Sequence, residues 1–303
     1  MSQSPRRRDL GFYLFMIAPT VLLFLGIITY PIVLSVIYGF TDFGIKPDAP
    51  VSFIGLSHYL RIFQDPVFWQ AFWNNMFVVA VSVFVQIPIA FILAYVLYRQ
   101  MVKGTGFFQS MVFLPNFIST IVVGMLFSQI FKQDGPASLL VQMFTGDPSA
   151  QANLFVHPET AMIPIGIALI WMYAGFYMIT FLANLQKLDP GIVEAARIDG
   201  ASEIQIFLRV IAPMLSGTLF LNCILAIAGS LKGFDLIYAM TGGGPGNNTI
   251  VLPIYMYNYA FRMNATDSYS YGSAISNVIV ALSVVLILIS NFVAKKTGNG
   301  EAT

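Results

Sequence analysis

The chain has 303 residues, of which 57% are hydrophobic and only 10% are charged, and its formal net charge is +1. Soluble domains carry about 25% charged residues, so most of this surface must face lipid rather than water. The small net charge argues against nucleic acid as a partner, and the single cysteine, Cys223, excludes a disulfide framework within the chain. The composition therefore predicts an all-α polytopic membrane protein.

Six apolar stretches are long enough to cross a bilayer, which takes about 20 residues in a helix. They cover about 10–40, 74–98, 107–131, 161–185, 214–237 and 274–294. The first follows three arginines at 6–8, but it is too long for a signal peptide and no small-residue cleavage site ends it, so we expect a retained helix. The sequence predicts one six-helix membrane domain, 10–294, between tails at 1–9 and 295–303.

The basic residues predict the orientation of these spans. With six spans both termini lie on one side, and ten of the fifteen lysines and arginines fall on that side. Four fall in the opposite loops, and Lys232 is left unassigned. Because positively charged loops stay in the cytoplasm, we expect both termini and the 187–213 loop to be cytoplasmic.

Prolines interrupt several of the predicted spans, at Pro19, Pro31, Pro88, Pro115 and Pro164. A proline kink survives in lipid when neighbouring groups satisfy the freed carbonyl. Two interpretations stay open: the prolines shape the bundle, or they bend helices around a translocation path.

The sequence offers few groups for catalysis or for ion coupling. It has no phosphate-binding loop motif, and no lysine follows the glycine-rich Thr241–Gly246. The two histidines, His58 and His157, lie in different outer loops without a second ligand at metal spacing, and no catalytic acid pair or serine triad can be nominated. Spans one to four and six have no Asp, Glu, Lys, Arg or His in their interiors, so energy for uphill transport would come from a partner on the cytoplasmic side.

The loop 187–213 is more polar than the runs on either side of it. Asp189 followed by Pro190 predicts a helix N-terminus, and Gly200 is placed to end the helix 192–199 in a left-handed conformation. Ser202, with Gln205 three residues later, predicts a capping box for a second helix.

Apolar residues of the second helix recur at helical spacing and predict one apolar face, formed by Ile204, Phe207, Leu208 and Ile211. Ala195, Ala196 and Ala201 are small enough to let a partner approach closely. The alternative is an interfacial helix pair that merely joins spans four and five.

These residues resemble a known family. Glu194, Ala195 and Ala196, followed after three residues by Gly200, resemble the EAA loop of permease subunits of bacterial ATP-binding-cassette importers. The family pattern ends in I-x-L-P, where this chain has Val210–Pro213. The resemblance extends from span one to span six and is nearest to the maltose, glycerol-phosphate and trehalose type of first carbohydrate permease. The stretches that carry it are Trp171–Leu185, Glu194–Ser202 and Phe234–Thr249.

The resemblance implies a six-helix inner-membrane permease with a cytoplasmic coupling helix between helices 4 and 5. In such importers each coupling helix docks into one of two separate ATPase subunits, and an extracytoplasmic binding protein delivers the solute. We therefore expect ATP and Mg²⁺ in partner subunits, no cofactor in this chain, and a second, non-identical permease. The residues implied for ATPase coupling are Glu194, Ala195, Ala196, Asp199, Gly200 and Ala201.

A substrate path is expected between spans four and five, because aromatic faces and polar groups suit sugars. Its candidate residues are Trp171, Tyr173, Phe176, Tyr177, Ser230, Gly233 and Asp235. Trp171 matches an aromatic position of the maltose-type family, but the asparagine-rich fifth-helix stretch of that family is here Gly229–Gly233. The alternative for the aromatic residues is packing or contact with lipid. Lys232 and Asp235 are expected to pair on one helix face, or else to form a polar mouth.

Two other functions compete with the importer subunit. A self-contained facilitator or channel for a small polar solute would need no ATPase, and the polar loop would then be incidental. An integral-membrane enzyme acting on a lipid-linked sugar would need carboxylates at the membrane face, and no such pair can be nominated.

Overall fold

The computed structural model describes residues 7–43, 50–147, 152, 154–262 and 268–296, so the predicted tails lie largely outside it. Within these ranges every regular element is helical apart from one isolated bridge between Thr41 and Phe53, which confirms the all-α class. The helices are α1 (7–38), α2 (Ser57–Gln64), α3 (Pro66–Tyr98), α4 (Thr105–Phe117), α5 (Thr120–Ile130), α6 (Pro136–Thr145), α7 (Ile163–Leu185), α8 (Pro190–Ile198), α9 (Glu203–Met214), α10 (Ser216–Lys232), α11 (Asp235–Thr241), α12 (Leu252–Tyr257) and α13 (Ser268–Lys296).

Four of the described helices are long and apolar enough to cross a membrane by themselves: α1, α3, α7 and α13. Two further pairs pass the same test together but are bent, α4 with α5 by 97° and α9 with α10 by 74°. The chain is therefore a multi-pass membrane protein, and the number of six spans stays a prediction that counts each bent pair as one crossing.

The predicted fifth stretch, 214–237, is not one helix. α10 ends at Lys232, Gly233 is extended with ψ 96°, and α11 begins at Asp235. Glycine is a poor helix former, which favours the end of the helix at this point.

Three prolines lie two positions after the end of a wide π-helical turn. These turns are Leu25–Thr29 before Pro31, Ser82–Gln86 before Pro88, and Ile206–Ile211 before Pro213. A proline has no N–H to donate and its ring crowds the carbonyl four residues earlier, so a widened turn lets the helix continue.

Contacts between Cα atoms divide the chain into two units, 1–64 with 256–278 and 65–255 with 279–303. In the first unit His58 is buried on α2, where its Nε2 lies 3.1 Å from both the carbonyl oxygen of Thr41 and the Oγ of Ser270. The guanidinium of Arg61 lies over the ring of Tyr271 at 4.6 Å. His58 is therefore held by hydrogen bonds within its own unit.

The second unit contains a core formed by α3, α7, α8, α9 and α10. Phe91 of α3 stacks on Phe181 of α7 with ring centroids 4.6 Å apart. Buried amides add polar links, since Gln86 donates to the carbonyl of Leu169 at 2.9 Å and Asn75 donates to the carbonyl of Ser230 at 3.0 Å. In a membrane the hydrophobic effect does not drive helices together, so interhelical hydrogen bonds of this kind help to hold them.

Gly175 of α7 lies where α4 crosses this helix. A Cβ at this position would clash with the carbonyl oxygen of Val112 and lie 2.7 Å from the Cα of Phe113.

We expect Gly175→Ala to lower the stability of the fold by about 1–3 kcal/mol, because backbone atoms have to move. Gly166→Ala in the same helix is the control, since its Cβ would meet only side-chain atoms of Val81 and Phe77, at ordinary contact distances of 3.5 and 3.7 Å. Heating the detergent-solubilised proteins and measuring the monodisperse fraction tests this, and equal midpoints for the two variants would contradict it.

Candidate functional site

The segment from Asp189 to Gln205 has the local structure that its sequence predicts. The Asp189 side chain accepts from the backbone N–H of Gly191 at 2.9 Å, at the start of α8. Gly200 ends that helix with φ +79°, and Ala201 donates to the carbonyl of Ala196. Ser202 and Gln205 form the reciprocal capping box at the start of α9. These three predictions are confirmed.

Helix α8 presents one side to the exterior and anchors the other in the core. Glu194, Ala195, Asp199 and Gly200 are exposed, and Ile198 beside them has 86% of its surface exposed. On the opposite side Val193 is buried, and Ala196 and Ala201 are half-buried against the core. The predicted coupling residues therefore divide into an exposed set of four and two alanines that also pack inward.

The predicted apolar face of the second helix is confirmed for Phe207 and Ile211, which pack into the core, and is wrong for Ile204 and Leu208. Ile206 and Ile211 are fully buried, while Ile204 and Leu208 are 71% and 58% exposed. The reason is the π-helical turn Ile206–Ile211, which has more residues per turn than the regular helix assumed for the spacing.

Glu203, at the start of α9, accepts hydrogen bonds from three side chains. Arg197 of α8 donates to its Oε1 at 2.5 Å, and Tyr95 of α3 donates to its Oε2 at 2.8 Å. Arg99, just past α3, donates through two nitrogens at 3.0 and 3.3 Å. Glu203 precedes the apolar run of α10, and the bonds from Arg197, Tyr95 and Arg99 lower the pKa of its carboxyl to about 2. The carboxylate therefore stays ionised at neutral pH.

Aromatic rings continue inward from this carboxylate. Phe207 of α9 lies against Tyr95 and Phe91 of α3, with ring centroids 4.9 and 4.8 Å away. Phe91 in turn stacks on Phe181 of α7. Through Phe207, α9 is thus packed against the helices of the core, and it is not a loosely attached linker.

A cavity of about 250 Å³ lies between α3, α7, α10 and α11. Aromatic surface comes from Tyr173, Tyr177 and Phe234, and polar groups come from other lining side chains. These polar side chains are Ser82, Gln86, Thr120, Ser230, Lys232 and Asp235. Ser230 is 7% exposed and donates to the Oγ of Ser82 at 3.0 Å. Aromatic faces beside hydroxyl, amide and charged groups can hold a polyhydroxylated solute.

The cavity brings together five of the seven residues predicted for the substrate path, namely Tyr173, Tyr177, Ser230, Gly233 and Asp235. Trp171 and Phe176 do not line it. Trp171 is 42% exposed and packs on Phe127 with ring centroids 5.5 Å apart, and Phe176 is 39% exposed. Whether any of these residues contacts solute stays a prediction.

The expected pairing of Lys232 and Asp235 on one helix face is wrong. The helix breaks at Gly233, so Lys232 ends α10 and Asp235 starts α11. No ion pair joins these two residues, both of which the structure describes. Both charged side chains line the cavity instead, which agrees with the alternative of a polar mouth.

Several hydrogen-bonded polar residues of the second unit were not nominated from the sequence. Asn75 donates to the Ser230 carbonyl and accepts from the backbone of Leu252 at 2.7 Å, and Asn74 donates to the carbonyls of Asn248 and Ile250. Thr249 bonds Thr241 at 2.6 Å and so closes the glycine-rich loop on itself. The available signal was the presence of Asn74, Asn75 and Gln86 in an otherwise apolar run. In the described residues, no cluster of three or more metal-ligating side chains occurs.

Comparison with known proteins agrees with these features. Residues 86–298 match the family described as binding-protein-dependent transport system inner membrane component. The lactose transport system permease protein LacF of Rhizobium radiobacter is 34% identical, over 97% of this chain and 97% of that protein. The arabinooligosaccharides transport system permease protein AraP of Bacillus subtilis is 33% identical, over 92% of this chain and 86% of that protein.

The fold is also that of a solved transporter subunit. A chain from the crystal structure of a bacterial ABC transporter involved in the import of alginate superimposes with a TM-score of 0.79, at 22% identity and over 96% of both chains. The family match covers more than half of this sequence, and the relatives are transport permeases. The chain therefore belongs to the family of binding-protein-dependent transport system inner membrane components, and it is a permease of a binding-protein-dependent importer.

Proposed function

We propose that this permease forms, with a second, non-identical permease, the path by which a sugar or sugar derivative enters a bacterial cell through the inner membrane. An extracytoplasmic binding protein delivers the solute. The sugar class rests on the names of the relatives, which transport lactose and arabinooligosaccharides, and on the aromatic and polar lining of the cavity.

The proposal that ATP drives the transport rests on one observation, the exposed face of α8. Glu194, Ala195, Asp199 and Gly200 are exposed on a helix that is capped at both ends and anchored by the buried Val193. Such a rigid surface is suited to a protein partner. The partner proposed is one of two ATP-binding-cassette ATPase subunits, which bind the ATP and Mg²⁺.

The orientation that goes with this function places α8 and both termini in the cytoplasm. The excess of lysine and arginine on that side supports it. The cavity between α3, α7 and α10 would then open during the cycle to receive solute from the outer face, where the binding protein docks.

The test is purification of the tagged chain from its native membrane, followed by reconstitution in liposomes. We expect the second permease and the ATPase to copurify, and ATP hydrolysis to rise when binding protein is added with the right sugar from a panel of lactose, arabinooligosaccharides and alginate oligosaccharides. Uptake of a sugar by the chain alone, without ATPase or ATP, would instead identify a facilitator and overturn the proposal.

A further inference from the structure

Glu203 joins parts of the chain that are far apart in sequence. Its donors Tyr95 and Arg99 belong to the carboxyl end of α3, and its donor Arg197 belongs to α8. The two ion pairs formed by Glu203 are both short, at 3.0 Å to Arg99 and 2.5 Å to Arg197. One carboxylate thus holds α3, α8 and α9 together.

The bond to Arg99 is the least exposed part of this arrangement. The Arg99 side chain is 13% exposed, and it reaches both oxygens of Glu203 with two nitrogens. Paired contacts of this kind fix orientation as well as distance. Removing the carboxylate would leave a mostly buried guanidinium without its anion, which disfavours the same arrangement of the helices.

Of these three helices, α3 also lines the cavity. The Phe207 ring of α9 packs against Tyr95 and Phe91 of α3. Further along α3, Val78, Ser82 and Gln86 line the cavity. A displacement of α8 that is passed to α3 therefore reaches the cavity.

We propose that Glu203 is a positioning residue that makes α8, α9 and the end of α3 move as one body, so that displacement of α8 by the ATPase moves the cavity wall on α3. This inference rests on the proposed function, since it takes the ATPase to act on α8. Glu203 itself contacts neither solute nor nucleotide in this arrangement.

Loss of the carboxylate should leave α8 folded and packed on the core, but without its polar link to the end of α3. The caps at Asp189 and Gly200 and the buried Val193 do not involve Glu203. We therefore expect the ATPase to bind Glu203→Gln and to hydrolyse ATP, while α8 moves without α3.

The measurement is the distance between two spin labels in the complete reconstituted complex, with native Cys223 replaced by serine. The labels sit at Pro190→Cys at the start of α8, outside the residues proposed for ATPase contact, and at Met101→Cys just after α3; both positions are exposed. We compare the nucleotide-free complex with the complex trapped by Mg·ATP and vanadate. In the wild-type background the distance should be the same in both states, and in Glu203→Gln it should change by several ångströms.

Arg209→Gln is the matched control. Arg209 is an exposed cation on α9, and it does not contact Glu203. It should behave as wild type. If Glu203→Gln does not assemble, Arg99→Lys replaces it, since lysine keeps the charge but loses the two-nitrogen contact. Arg99→Lys should show the same change of distance between states.

Two results would overturn this inference alone: a distance that changes in the wild-type complex, or one that stays fixed in Glu203→Gln or Arg99→Lys while the ATPase remains bound and active. A wild-type complex that binds no ATPase would overturn the proposed function, and this inference with it.

Discussion

Gly200→Val is expected to abolish ATP-coupled uptake while the protein still inserts in the membrane. Gly200 has φ +79°, a conformation that a β-branched residue adopts at a cost of about 1–2 kcal/mol. Apart from the adjoining residues, no atom of the described residues lies within 4 Å of a Cβ at this position, so the added side chain would project from the exposed face proposed for the ATPase. The measurements are retention of the ATPase on purification and sugar-stimulated ATP hydrolysis in liposomes. Glu194→Ala should be milder, because it leaves the backbone unchanged.

Two controls distinguish the effect of backbone strain from the effect of a larger side chain at the proposed ATPase contact. Gly104 has nearly the same conformation, φ +76°, and also has no neighbour within 4 Å, so Gly104→Val carries the strain without touching α8. Gly200→Asn carries bulk with less strain, since asparagine tolerates the left-handed region. We expect normal coupling in Gly104→Val and an intermediate loss in Gly200→Asn. Wild-type ATPase retention and turnover in Gly200→Val would refute the proposed role of α8.

Ser230→Leu is expected to reduce uptake by about tenfold or more, the change that corresponds to 1.4 kcal/mol in solute binding. Leucine would place a branched apolar group in the cavity of about 250 Å³ and remove the hydroxyl that donates to Ser82. A polar group left unpaired in a buried site costs about 1–3 kcal/mol. Uptake of the sugar that stimulates ATP hydrolysis is the measurement, made on complexes of verified composition.

Ser230→Ala distinguishes loss of the hydrogen bond from filling of the cavity, because it removes the hydroxyl but keeps the cavity open. Uptake should fall less in Ser230→Ala than in Ser230→Leu. Ser110→Leu tests for general damage, because Ser110 lies on an exposed face of α4 and should tolerate an apolar residue. Unchanged uptake in Ser230→Leu would remove this cavity from the solute path.

The parts of the site that the sequence predicted are those set by neighbours in the chain. The Asp189 cap, the left-handed Gly200 and the Ser202–Gln205 box each involve residues at most three positions apart, so the residue types alone indicate the geometry. The apolar runs likewise located the long helices, because their length is fixed by the bilayer.

The parts that sequence reasoning missed depend on contacts between distant residues. The acceptor role of Glu203 requires that the end of α3 lie beside the start of α9, although Arg99 and Glu203 are more than 100 positions apart in the sequence. The π-helical turn in α9 changed which residues face the core, so the regular spacing misplaced Ile204 and Leu208. The break at Gly233 lies inside an apolar run, so hydropathy did not reveal it.

The shortness of α10 has a consequence for how the chain enters the membrane during synthesis. This helix has 17 residues, ends at Lys232, and carries the fully buried Asn222 near its middle, whose Oδ1 accepts from Thr180 of α7 at 2.9 Å. Polar and charged residues weaken recognition of a segment by the translocon. Because α7 leaves the ribosome first, it offers Asn222 a partner when α10 arrives. Partitioning of α10 into lipid should therefore depend on α7 having been inserted before it.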